Sequence, residues 1–199
     1  MNRPAALLLT VALATPALAQ EVAEPKSGVK FAAKNGDMSL LGVGLRTKTM
    51  LKVKVYAVGL YVADSALAGP LAAFKGKTDS APLYKELAWG DFGKQIVMKF
   101  TREVTTDQIQ GAFRESLAGA EASKLNQFLG YFGDTKVGQE YVLTWKPGGV
   151  LATKVAGVDK PDIADKSFAA AVFGIWLGEK PIQNDVKKGL ASRAAELIK

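Results

Sequence analysis

Arg46 is the residue of this sequence that most invites a chemical reading. It ends the run Gly42-Val43-Gly44-Leu45-Arg46, between two glycine-flanked apolar segments. A cation that points inward there needs an acidic partner or an anionic ligand. A strand-end arginine in water is the plain alternative. The Gly-x-Gly start begins like a phosphate-binding fingerprint, but the third glycine is missing and the run leads into a strand rather than a helix. The two glycines read instead as positions of close backbone approach or a bulge.

The other candidates are set by what the chain lacks. Its 199 residues include no cysteine and no histidine. That removes disulfides, thiolate nucleophiles, zinc sites built on either residue and every triad with an imidazole base. No calcium loop or other metal pattern occurs, and no cofactor is expected. Asp162 and Asp165 read as helix caps rather than an acid–base pair. Glu115 and Glu121 read as solvated, and Trp89-Gly90-Asp91-Phe92 as a turn with one aromatic anchor.

The elements that must position Arg46 follow from periodicity. Residues 20–28 are polar and small and read as a loose leader. Val29 to Phe31 and Met38 to Leu45 read as strands joined across Asn35-Gly36-Asp37. Leu51 to Val62 is apolar on both faces after Val55, which predicts a central strand covered on both sides. Ser65 to Phe74 predicts a short helix broken at Gly69-Pro70. Lys94 to Phe100 alternates, with Ile96, Met98 and Phe100 on the buried face.

Thr105 with Gln108 predicts a capping box that opens a helix with the stripe Ile109, Ala112, Phe113 and Leu117. A second helical stretch runs through Phe128 and Leu129. Tyr141 to Trp145 and Val150 to Val155 flank a hairpin turn at Lys146-Pro147-Gly148-Gly149. Helices over about 165–177 and 185–198 finish the chain. Strands come mostly first and helices later, so the class is α+β around a mainly antiparallel sheet.

Arg3, the apolar run Ala5 to Ala14 and Ala17-Leu18-Ala19 have the form of a secretory signal, with cleavage before Gln20. A run of that length is too short to cross a hydrocarbon core of ~30 Å. The expectation is therefore a cleaved signal peptide over residues 1–19, a single domain over 20–199, export to the periplasm and no stable membrane insertion. Cleavage would lower the net charge from +7 to +6. The lysines are scattered apart from Lys48 to Lys54 and Lys187-Lys188, so the charge reads as solvated surface, with no nucleic-acid partner.

Leu41 to Lys48, followed by Lys54 to Val62, resembles the chalcone isomerase family, most nearly its bacterial and non-catalytic members. The likeness continues through Val104 to Leu117 and Lys166 to Glu179. It implies an open-faced β-sandwich, a large antiparallel sheet backed by helices, with a ligand cleft between them. It also implies that Arg46 matches the arginine that stabilises the attacking phenolate in the plant enzymes. Tyr56 stands where those enzymes have a threonine, Ile109 and Ser116 where they have a tyrosine and an asparagine, and Ile175 and Trp176 at two specificity positions. Most of the polar network is thus replaced, and donors for a developing enolate are lost.

An arginine and a tyrosine at one end of an apolar cleft resemble the pair of the family's fatty-acid-binding members, with Ile109, Phe113, Ser116, Ile175 and Trp176 lining the cleft. The leading expectation is a monomeric exported binding protein for a fatty acid or similar lipophilic carboxylate. The alternatives are an intramolecular lyase or isomerase acting on a phenolic ligand, with Arg46 catalytic, and a structural or partner-binding module whose cleft is filled by its own side chains.

Overall fold

A computed structural model describes residues 20–48 and 51–199. The expected signal peptide lies outside the described residues. The chain runs through β1 (Glu21–Ala23), β2 (Lys30–Ala32), β3 (Lys34–Asn35), β4 (Met38–Lys48), β5 (Val53–Ala63), α1 (Asp64–Ala68), a 3-10 turn (Ala72–Phe74), α2 (Ala81–Trp89) and β6 (Lys94–Phe100). It continues through α3 (Thr106–Ser116), α4 (Ala122–Leu129), β7 (Glu140–Lys146), β8 (Val150–Val155), β9 (Val158–Ala164), α5 (Lys166–Leu177), α6 (Asn184–Leu190) and α7 (Ala194–Leu197).

Strands β3 to β9 form one antiparallel sheet in which each strand pairs with its neighbours in sequence. β5 is buried on both faces from Tyr56 onward, as its uninterrupted apolar run requires. Tyr56, Val58, Leu60 and Val62 face the helices, while Ala57 and Tyr61 face a smaller outer cluster around Phe31. That outer cluster exists because residues 20–28 are not a loose leader. β1 and β2 pair as a hairpin, with Phe31 fully buried on the outer face. The Glu24 carboxylate accepts from the backbone of Lys26 and Ser27 and so ties the hairpin turn.

The inner face carries the main core, built from the helices and the inward residues of β4 to β8. Thr105 opens α3 through the expected capping box, accepting from the Gln108 N–H while Gln108 reaches back. Asp165 caps α5 by accepting from the Phe168 N–H at 2.9 Å, and the helix stops at Gly178. The β7–β8 turn places Gly148 and Gly149 at φ of 94° and 79°, a conformation that suits glycine.

Several expectations need correction. Asp162 is not a cap; it lies in β9 and pairs with Lys146 at 2.7 Å. Strand β9 escapes a pattern reading because it is an exposed edge strand with Pro161 inside it. Glu121 is not merely solvated, since it caps α4 through the N–H groups of Ser123 and Lys124. The last helix is two pieces, α6 and α7, with a break after Leu190. Trp89 closes α2 and is exposed, so Phe92 is the aromatic anchor of the following turn.

Candidate functional site

Arg46 and Tyr56 are directly opposed across β4 and β5. They therefore point to the same, inner face of the sheet. The strand glycines create the space beside them. A Cβ on Gly42 would overlap the backbone of Gly189 and Leu190, and one on Gly44 would press on Val186. α6 consequently lies directly against β4, which is the close approach expected of the Gly-x-Gly pair. It also brings Gln183, the residue preceding α6, to the Arg46 end of the strand.

The Arg46 guanidinium is half-buried. Its Nη1 donates to the Thr47 carbonyl at 2.8 Å and to Gln183 Oε1 at 3.3 Å. Among the described residues no carboxylate pairs with it, and the other guanidinium nitrogens make no hydrogen bond. Tyr56 is buried, and its hydroxyl accepts from Trp176 Nε1 at 3.2 Å. Its own proton finds no acceptor among the described residues. Burial pushes the Tyr56 phenol up to about 12, against the opposing pull of the Trp176 N–H and the Arg46 charge. The phenol is therefore a neutral donor at physiological pH and not a base.

The remaining candidates separate into two groups. Ile109, Phe113, Ile175 and Trp176 are all buried in the same inner core as Tyr56. Ser116 is exposed and does not join them. The buried stripe of α3 runs through Ile109, Phe113 and Leu117, and Ser116 is the last residue of the helix, off the centre of that stripe. Tyr56, Ile109, Phe113, Ile175 and Trp176 are all buried from solvent. Aromatic contacts pack around them, Tyr56 with Phe100 at 5.6 Å between ring centroids and Phe113 with Phe128 at 5.1 Å and Phe132 at 4.8 Å.

Two concavities lie elsewhere. A trough of about 560 Å³ on the outer face is floored by residues such as Val97, Val142 and Ala152. Its rim lysines are largely paired, Lys99 with Glu140 and Lys154 with Asp159. A smaller hollow of about 210 Å³ lies between α2 and α6. Neither is lined by Arg46 or Tyr56. Among the described residues no cluster of acidic side chains could hold a metal ion, and no helix is long and apolar enough to cross a membrane.

Polar residues of the inner face escaped the sequence reading, Gln183 and Lys94 among them. Only the fold brings Gln183 to Arg46. Lys94 is fully buried. Its ammonium donates to the carbonyls of Gly90 at 2.8 Å and Ala88 at 3.3 Å, and it lies 4.1 Å from the Trp145 ring centroid and 4.8 Å from that of Phe92. Burial draws its pKa down to about 7, while Glu86 and Asp91 oppose the shift and Lys166 adds to it. Lys94 shares the alternation of Ile96, Met98 and Phe100, so its inward direction was available from the sequence.

The family model described as chalcone isomerase-like matches residues 19–191. The chain belongs to the chalcone isomerase-like family. Chalcone isomerase-like protein 1 of Humulus lupulus is 33% identical over 177 residues, which cover 78% of this chain and 82% of the relative. Fatty-acid-binding protein 1 of Arabidopsis thaliana is 27% identical over 203 residues, covering 89% and 72% of the two chains. A crystal structure of an Arabidopsis thaliana fatty-acid binding protein superposes with a TM-score of 0.77 at 21% identity, over 90% of this chain and 99% of that one. The curled antiparallel sheet backed by helices is thus the fold of this family.

Proposed function

We propose that this member of the family binds a fatty acid or similar lipophilic carboxylate, with Arg46 as its anchor and Tyr56 as a second donor. The observation that carries the reading is the pair of unspent donors. A half-buried guanidinium without a carboxylate partner among the described residues faces the same side as a buried phenol whose proton has no acceptor. A carboxylate satisfies both, through bidentate contact with the guanidinium and one further hydrogen bond from the phenol. The similarity to fatty-acid-binding proteins of Arabidopsis thaliana agrees with this chemistry. Because Tyr56, Ile109, Phe113, Ile175 and Trp176 are buried, taking up an acyl chain among them includes an opening step. Export to the periplasm, cleavage before Gln20 and a monomeric state complete the reading.

Titration of the delipidated protein with dodecanoate tests it. Arg46→Ala is expected to weaken binding by about 10- to 150-fold, the loss of roughly 1.5–3 kcal/mol of charge-assisted hydrogen bonding. Equal affinity in the two proteins removes Arg46 as the anchor. The filled interior and the Trp176–Tyr56 hydrogen bond favour a second reading, a module closed on its own side chains, for which neither protein binds dodecanoate.

A further inference from the structure

The side-chain oxygen of Gln183 stands where an anion would be held. Gln183 Oε1 receives Arg46 Nη1 at 3.3 Å, the Thr47 backbone N–H at 3.1 Å and Thr47 Oγ1 at 3.4 Å. Three donors thus converge on one neutral oxygen with two lone pairs, and one of them carries a full positive charge. All three bonds are longer than those typical of an ionised acceptor.

The cradle is made by the backbone as much as by the arginine. The register of β4 against β5 shifts between Arg46 and Thr47, leaving Val55 unopposed. Such a bulge disrupts the ladder locally, and here the Thr47 N–H goes to Gln183. Gly42 and Gly44 set the distance of α6, and with it the reach of Gln183. Gln183 does not serve its own helix, because its side chain makes no capping bond to α6. Among the described residues, its side-chain hydrogen bonds all go to Arg46 and Thr47.

We propose that Gln183 is an internal competitor for the carboxylate site: its side-chain oxygen holds Arg46 Nη1 and the Thr47 donors, and a ligand carboxylate that takes the Nη1–Nη2 edge of the guanidinium exchanges with it. The proposal rests on the reading of Arg46 as a carboxylate anchor. The exchange replaces a neutral acceptor by an ionised one, and its cost lowers the apparent affinity. Gln183 therefore sets how tightly the site holds its ligand without contributing to the anchor itself.

Two measurements test this, one of them without ligand. Gln183→Glu places a carboxylate on a stem of the same length. It is expected to raise the thermal midpoint at pH 7 by about 2–4 °C, with the gain lost in an Arg46→Ala background and as pH falls through the glutamate range near ~4.3. In dodecanoate titrations, Gln183→Ala is expected to bind about 3- to 10-fold more tightly than wild type. Gln183→Glu should bind at least about 10-fold more weakly, its own carboxylate holding the guanidinium.

An unchanged or lowered midpoint for Gln183→Glu overturns the proposal. So does a Gln183→Ala affinity no better than wild type when Arg46→Ala weakens binding, and the anchor then stands without a competitor. If wild type and Arg46→Ala bind dodecanoate alike, or neither binds it, the anchor reading fails and the competitor falls with it.

Discussion

Replacing Lys94 by methionine separates the cost of a buried ammonium from the packing around it. In the native protein Lys94 has no exposed surface and its pKa is drawn down to about 7 by burial. In the unfolded chain a lysine titrates near ~10.4. Below pH 7 both states hold the proton, and the burial penalty is fully present. Between about 7 and 10 the unfolded chain keeps a proton that the native protein has released, so stability rises with pH, by at most about 1.4 kcal/mol per unit.

The accumulated gain across that window is a few kcal/mol at its ceiling. The Trp145 face and the carbonyls of Ala88 and Gly90 favour the ammonium and reduce the gain. Above pH 10 the sign reverses. Tyr56, Tyr61 and Tyr84 are each raised to about 12 in the native protein, so the unfolded chain loses phenolic protons first. The informative range is therefore pH 7 to about 9.5.

Urea unfolding of wild type and Lys94→Met at several pH values reads the effect as a difference, with equal m-values as the control. Wild type is expected to gain stability relative to Lys94→Met as pH rises. The offset between the curves reflects the two carbonyls that methionine leaves without a donor. Parallel curves from pH 7 to 9.5 would refute the reasoning, since Lys94 would then remain charged in its aromatic box.

Two further substitutions probe how the site is built. Gly42→Ala drives a Cβ into the Gly189 carbonyl, a backbone clash that no rotamer relieves; it is expected to cost at least about 2 kcal/mol in chemical unfolding, and a neutral effect would show that α6 does not depend on that approach. Trp176→Phe removes the donor to the Tyr56 hydroxyl and part of the interior packing, for an expected loss of about 1–3 kcal/mol. The same variant should bind dodecanoate more tightly, because less side chain must move, and unchanged affinity would show that Trp176 does not block the acyl path.

What the sequence disclosed follows from how local its signals are. The run of β5, the capping box at Thr105 and the glycines of the β7–β8 turn are short-range patterns, and each forms as read. α2 was overlooked although its start carries two of the usual signals, Ser80 at the N-cap and Pro82 in the first turn. β1 was missed, and the strand read over Val29 to Phe31 was given the wrong partner: β2 pairs with β1, and β3 takes the turn to β4. The reason is that the short hairpin depends on one buried residue, Phe31, docking on a distant sheet face.

The site divides in the same way. Arg46 stood out from its glycine-flanked surroundings, and its opposition to Tyr56 emerges from the β4–β5 register. Ser116 was drawn into the group by its match to the family's asparagine position, seven residues after Ile109, although α3 ends at that residue and leaves it exposed. Gln183 is 137 positions from Arg46, and no local pattern marks it; its place is set by the docking of α6 on Gly42 and Gly44. A filled interior stood only as an alternative to an open cleft, because the pattern of apolar residues is the same for a lined cleft and a filled one.

The most direct test of carboxylate binding at Arg46 is to purify wild type and Arg46→Ala without detergent, extract both with organic solvent and identify the released molecules by mass spectrometry. The account predicts a lipophilic carboxylate in near-stoichiometric amount from wild type and little or none from Arg46→Ala. An empty wild type that also fails to take up dodecanoate, or the same carboxylate in equal amount from both proteins, would contradict it.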